Sequence, residues 1–240
     1  MIIFVSDMDI TPIAHIRSPF PEKFGIPRQS GLAEDCTATV EFESEFRSAE
    51  AVRGLEDFSH IWLIWGFSEA KWDGAFTVRP PRLGGNTRIG VFASRSPYRP
   101  NGIGMSAVRL LKVDMTADHG PVLHVAGADL LDGTPIYDIK PYIPYADCIP
   151  EAADGYTGPT KGHRLKVEFA PGVTDGLDPA AVEQIRQLLE LDPRVSYDSD
   201  PQKVWGMCYG QWNIRFTVAG DTARVVEISP LFTIFAEQKR

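Results

Sequence analysis

The chain has no apolar run near the ~18 residues that a membrane span requires, so a membrane-embedded protein is not expected. Its N-terminus offers only a brief apolar stretch, Ile2 to Val5, with no basic flank and with Asp7 and Asp9 following at once; it reads as no secretory leader, and a cytoplasmic protein is expected. Cysteine is scarce, and Cys36, Cys148 and Cys208 stand far apart, which excludes a disulfide framework and the paired spacing of a structural zinc site. The five histidines form no H-x-x-x-H or H-x-x-E-H group, and no G-x-S-x-G elbow surrounds Ser94, Ser96 or Ser106. There is no G-x-x-x-x-G-K-[ST] phosphate loop, and Gly102 and Gly104 are only a fragment of G-x-G-x-x-G followed by strand-like sequence, which disfavours a Rossmann methyltransferase.

What remains is an ordinary globular composition, 43% apolar and 23% charged over 240 residues, with a formal charge of -8. A uniformly acidic surface would repel phosphate, but the charge is unevenly spread. Six arginines, at 79, 82, 88, 95, 99 and 109, fall in a stretch that contains no Asp or Glu. Such a stretch presents a positive face to a polyanion; it equally suits arginines that pair with acids elsewhere in the fold.

Several short segments carry strand patterning: Thr39 to Glu43, Ile61 to Phe67, Ile89 to Ala93, Ser106 to Val113 and Val122 to Ala126, separated by Gly, Pro, Asn or Asp. They favour an all-β barrel or sandwich, and the continuous run Ile61 to Phe67 suits a buried central strand. From residue 151 to 162 the texture is small, polar and turn-rich, which reads as a linker. Beyond it a strand over Leu165 to Phe169 precedes a helix with Asp178 as N-cap and Pro179 at its first position. Its apolar stripe is Val182, Ile185, Leu188 and Leu189, and it ends by Asp192, before Pro193. Trp212 to Val218 then alternates into a Gly220-Asp221 turn and a return strand through Val225 and Val226. The expected fold class is mainly β: a single-sheet β-barrel over 10–150 and a small α+β unit over 163–240.

Three loops stand out chemically. Arg79 to Asn86 sets two cations around a diproline followed by two glycines, a pattern that fits both an outward-held charge pair and a plain connection. Ala93 to Gly102 adds Arg95, Tyr98 and Arg99, and an aromatic with guanidinium groups stacks on bases and grips phosphate. Asp132 to Tyr142 carries two acids, a lysine and two tyrosines, and by itself reads as a turn whose polar groups satisfy local backbone. His60, beside the apolar run, is expected to be structural.

Taken together, FGIPRQ at 24–29, AVRGLE at 51–56, FSHIW at 58–62, VRPPRLGGN at 78–86, GVFASRS at 90–96, RPN at 99–101 and DGTPIYDIKPY at 132–142 resemble the TsaA-like family of transfer-RNA methyltransferases. The resemblance is dense over about residues 11–148, with a thinner match at Asp192-Pro193-Arg194 and Tyr209 to Arg215. It implies a compact β-barrel that acts as a homodimer and uses S-adenosylmethionine to methylate N6 of threonylcarbamoyladenosine beside the anticodon of tRNA. It implies cofactor contacts from Gln29, Ser30, Gly31, Ser68, Glu69, Arg95, Met105, Asp132, Thr134, Pro135, Ile136, Tyr137, Asp138 and Ile139. Substrate contacts would come from Arg82, Tyr98, Arg99 and Lys140, with Asp138 as proton acceptor and no metal. Ser30 and Gly102 stand where the family commonly has Pro, and positions 68–69 vary, so contacts there would run through backbone. Two other readings stay open: a module that binds S-adenosylmethionine or RNA without turnover, and a barrel methyltransferase with another small substrate.

Overall fold

The structure, a computed structural model, describes residues 9–80, 83, 86–116, 118, 120–194 and 200–231. Strands β1 (Ala14–Arg17), β2 (Thr37–Phe42), β3 (His60–Gly66), β6 (Ile103–Asp114), β7 (Val122–Ala126) and β8 (Pro135–Pro141) close into a barrel in the order β1-β2-β7-β6-β3-β8. Between β3 and β6 the chain makes a two-stranded ribbon of β4 (Thr77–Val78) and β5 (Ile89–Gly90). Neighbouring barrel strands are all antiparallel, and β8 closes the ring on β1 through Ala14 opposite Ile136. Closure leaves no unpaired edge on this sheet.

Period-two alternation fills the barrel. Ile61, Leu63 and Trp65 of β3 point inward with Ile16, Val40, Val108, Leu123, Val125 and Ile136, while Trp62 and Ile64 are half-exposed outside. The apolar run over β3 is therefore not buried on both faces; half of it faces outward. Two register shifts, at Ile64/Trp65 against β8 and at Leu110/Lys112 against β7, bend the strands as barrel closure requires.

After a short helix α1 (Pro144–Asp147), the second body holds β9 (Lys166–Phe169), helix α2 (Pro179–Glu190), β10 (Trp205–Tyr209), β11 (Trp212–Ala219) and β12 (Thr222–Pro230). Its sheet runs β10-β11-β12-β9, with β9 parallel to β12. The Asp178 carboxylate accepts the Ala180 N–H at 3.0 Å, which caps α2, and Ile185, Leu188 and Leu189 turn into the core.

The second core takes in residues from the start of the chain. Phe20, Ala33 and Cys36, on the connection between β1 and β2, are buried beside Leu165, Ile185, Met207 and Phe216. Backbone and side-chain bonds fasten this connection: Gly210 N–H to the Pro19 carbonyl at 2.7 Å, Cys208 N–H to the Glu22 carboxylate at 2.8 Å, and Gln184 to the Asp35 carbonyl at 2.7 Å. Burial pushes the Cys36 thiol up to about 11, so it packs as an inert apolar group beside Tyr209.

Several expectations need correction. The strand over Ile89 to Ala93 stops at Gly90, and Val91–Ala93 form a 3-10 turn. Residues within the expected linker form a 3-10 helix, Gly155–Thr160. The segment 132–142 is more than a turn, because the Asp132-Gly133 corner opens β8. Strands β1, β4 and β10 were not expected. His60 is exposed at the barrel end, with its Nδ1 3.0 Å from the Ser59 hydroxyl, rather than within the core.

Candidate active site

A concavity of about 650 Å³ opens where the ends of β3 and β6, the loop carrying Gln29 and the loop 95–101 converge. That volume lies inside the range of ~300–1,000 Å³ usual for small-molecule and cofactor sites. Trp65 and Phe67 supply an aromatic wall, their rings 4.4 Å apart and edge to face. The wall depends on Gly104, opposite Trp65 in the β3–β6 register, because a Cβ there would lie 2.5 Å from the indole ring.

The indole N–H of Trp65 donates to Ser106 Oγ at 3.0 Å, and the Ser106 hydroxyl donates to the Asp129 carboxylate at 2.6 Å. Burial pushes the Asp129 carboxyl above the ordinary carboxylate value; the bonds from Ser106 and from the backbone of Asp129 and Ser30, and the charge of Arg95, pull the other way without cancelling it. On the opposite side, the Arg95 guanidinium donates to the Gln29 side-chain oxygen. Gln29 in turn donates to the Arg28 carbonyl at 2.5 Å, and Arg28 donates to the carbonyls of Asp192 and Arg194 at 3.3 and 2.8 Å. The second body thereby holds one wall of the concavity. Lys23 adds a tie to the rim through the Glu69 carbonyl at 2.8 Å. The concavity thus combines an apolar aromatic surface, a sheltered carboxylate and three arginines, Arg28, Arg95 and Arg99, a mixture suited to a ligand that is part aromatic and part charged.

Of the residues named from sequence, Gln29, Ser68, Glu69, Arg95, Met105 and Thr134 line the concavity, as do Tyr98 and Arg99. Ser30 and Gly31 are behind it: the Ser30 backbone N–H bonds Asp129, and the Gly31 N–H donates to the Gly127 carbonyl at 2.8 Å. Asp132 turns away and accepts the Ser18 N–H at 3.0 Å. Pro135 to Ile139 run along β8 outside the lining, with Ile136 fully buried in the barrel core. Tyr137 lies over Gly66, where a Cβ would approach it to 2.7 Å. Asp138 stands opposite Ile64, which on its other side faces Met105; its carboxylate pairs with Lys140 at 2.8 Å and accepts the Ile139 N–H at 2.9 Å. Arg82 lies outside the described residues. The sequence reading missed Asp129, Trp65 and Phe67. The aromatics had a signal in the run at 61–67; Asp129, inside A-D-L-L-D, had none apart from its neighbourhood to the D-G-T-P turn.

A family model described as the tRNA-methyltransferase O N-terminal domain matches residues 15–148, and the TrmO C-terminal domain matches residues 163–231. The chain is 39% identical to the tRNA (adenine(37)-N6)-methyltransferase of Escherichia coli, over 94% of this chain and 100% of that protein. It is 43% identical to a putative S-adenosylmethionine-dependent methyltransferase of Pseudomonas aeruginosa, over 82% and 87% of the two chains. A crystal structure of TrmO from Pseudomonas aeruginosa superposes with a TM-score of 0.77 at 34% identity, over 95% of this chain and all of that one. Barrel, second body and concavity therefore all fall within matched regions, and the chain belongs to the tRNA-methyltransferase O family.

Proposed function

We propose that this chain is an S-adenosylmethionine-dependent methyltransferase acting on N6 of the adenosine at position 37 of tRNA, specifically where that base already carries a threonylcarbamoyl group. The observation that carries the reading is the concavity itself, seated in a family whose relatives are named for this reaction. When bound, S-adenosylmethionine supplies a methyl group activated by its sulfonium, so the protein needs neither a nucleophile nor a metal to start the transfer.

The residues present fit that cofactor. Trp65 and Phe67 offer faces for an adenine or a sulfonium cation, Asp129 accepts from hydroxyl or ammonium donors, and Arg95, oriented by Gln29, meets a carboxylate. We assign the cofactor to this concavity with Gln29, Ser68, Glu69, Arg95, Met105, Asp129 and Thr134 around it. Ser30, Gly31, Asp132 and Pro135 to Ile139 support it from behind and along β8. Tyr98, Arg99 and Lys140 meet substrate. Their work is alignment: two reacting groups held in line gain most of the rate that positioning can give.

The N6 proton must also leave. A carbamoyl substituent acidifies N6, so a charged carboxylate suffices as acceptor. Asp138 takes that role in this reading; it stands on the outer face of β8, across Ile64 from Met105 of the concavity, and Lys140 keeps a cation beside it.

We further assign residues 10–150 as the catalytic unit and 163–240 as its appended domain, joined by 151–162. We also propose a homodimer. Leu111, 47% exposed on β6 away from the concavity, offers apolar surface that a second copy would cover. A tRNA substrate puts the work in the cytoplasm, and no described helix is long and apolar enough to cross a membrane.

Nucleoside mass spectrometry of bulk tRNA treated with purified protein and S-adenosylmethionine tests the reading. One added methylene on threonylcarbamoyladenosine alone is expected. A gain on unmodified adenosine overturns the threonylcarbamoyl requirement, and no gain with bound cofactor overturns the substrate.

A further inference from the structure

The arm between Ala70 and Arg95 leaves the mouth of the concavity and returns to it, since both residues line it. The β4–β5 pairing stiffens it, and the Val91 N–H donates to the Phe76 carbonyl at 2.9 Å, so Phe76 and Phe92 stand at the foot of the paired strands, on the barrel side of Thr77 and Gly90. Phe76 and Phe92 are nevertheless 65% and 74% exposed. Trp72 meets Phe76 edge to face, at 5.5 Å between ring centres, with the indole N–H fixed on the Ala75 carbonyl at 2.8 Å. Two open phenyl rings on one arm are unlike scattered surface apolars, because an exposed large aromatic loses hydration free energy with no packing return.

Their surroundings are polar and cationic. Thr77 and Arg88 are exposed on the same ribbon, with the Arg88 guanidinium donating to the Thr77 hydroxyl at 3.3 Å; Asp73, whose carboxylate accepts the Ala75 N–H, is the acid nearest in sequence, and none follows from Ala75 to Val113. An interface between copies of the chain would be expected to extend the apolar surface; this surface instead alternates aromatic rings with guanidinium and hydroxyl groups, the pattern that stacks bases and neutralises phosphates.

Resting on the methyltransferase reading above, we propose that Phe76 and Phe92 are a stacking platform for anticodon-loop bases flanking the target adenosine. A base whose N6 enters the concavity must leave its stack, and its neighbours lose a partner on one side. Open rings on the arm that borders the mouth replace that partner, and Arg88 meets the adjoining phosphate. The arm thus selects a single-stranded loop over a duplex, because only unstacked bases present their faces.

The test compares Phe76→Ala, Phe92→Ala and the double variant with the wild-type protein. Binding of a fluorescent anticodon stem-loop carrying threonylcarbamoyladenosine is read by anisotropy, methyl transfer by kcat and KM, cofactor affinity by calorimetry, and molecular mass by light scattering. Each ring is expected to cost about tenfold in stem-loop affinity, with kcat at saturating RNA changed less than about twofold and cofactor affinity unchanged. Phe92→Tyr or Phe92→Trp restores binding. Unchanged stem-loop affinity in the double variant overturns the platform, and so does a shift from dimer to monomer in the alanine variants, which would assign the rings to a second copy. Wild-type protein that binds the stem-loop without methylating it ends the methyltransferase reading alone, since the affinity ratios still decide the role of the rings. Wild-type protein that binds no stem-loop overturns both.

Discussion

Asp129 shows how much a single side chain depends on its setting. Its raised carboxyl value means that the folded state prefers it protonated, relative to the unfolded chain. The resulting penalty is absent below the ordinary carboxylate value, appears as pH rises through it, and is complete above the raised folded value. Asp129→Asn is therefore expected to leave the melting temperature unchanged in acid and to raise it at neutral pH, in a pH series of thermal scans. The same change should weaken S-adenosylmethionine about 10- to 100-fold by calorimetric titration, the cost of replacing a carboxyl partner by an amide. Equal cofactor affinity would remove Asp129 from the site. No periodicity marks this residue; Asp129 and Asp132 look alike in sequence, and only the closure of β7 beside β6 shelters one and exposes the other. Arg95, Tyr98 and Arg99 were legible because a loop crowded with Pro and Arg has little structural reason to be so composed.

Elements were legible wherever their own pattern dictated them. The alternation of Val122 to Ala126, the Asp178-Pro179 helix start and the Gly220-Asp221 hairpin all stand as read. Where partners decide, pattern failed. Four-residue β1 is too short to show a period, and it exists because β2 and β8 flank it. Ile89 to Ala93 has strand composition, yet among the described residues the ladder past Gly90 ends with the single bond from the Val91 N–H to the Phe76 carbonyl, and the chain turns. The crossing of β3 and β6 carries its own prediction. Gly104→Ala pushes a methyl group into the Trp65 ring, which is only 8% exposed and has no room to retreat. A loss of about 1–3 kcal/mol is expected from overpacking, visible as a melting temperature lower by roughly 2–4 °C per kcal/mol. Tryptophan fluorescence should change with it as the bond to Ser106 breaks. Gly102→Ala is no substitute, since Gly102 has a φ of +40° with open space around it, and strain there would act without touching the indole.

At the scale of the molecule, the two bodies share residues. Phe20, Ala33 and Cys36 belong by sequence to the barrel region and by burial to the second core. A chain cut after residue 150 is therefore expected to expose these apolar groups, to bind a hydrophobic dye and to aggregate on size-exclusion chromatography. A compact cut chain with wild-type cofactor affinity would show that the shared core is dispensable. The change of texture near residue 150 suggested two bodies, but it carried no sign of this exchange, because the contacts join positions more than a hundred residues apart. The consequence reaches the concavity through Arg28, which donates to the Asp192 and Arg194 carbonyls and stands next to Gln29.

During synthesis that exchange becomes a matter of timing. At roughly 5–20 residues per second, residues 18–36 leave the ribosome on the order of ten seconds before the sheet that will receive them. Until then the barrel can close on its own strands while the Gln29 wall has nothing to lean on. A half-made chain is thus expected to ignore its methyl donor until the grip on Arg28 completes that wall.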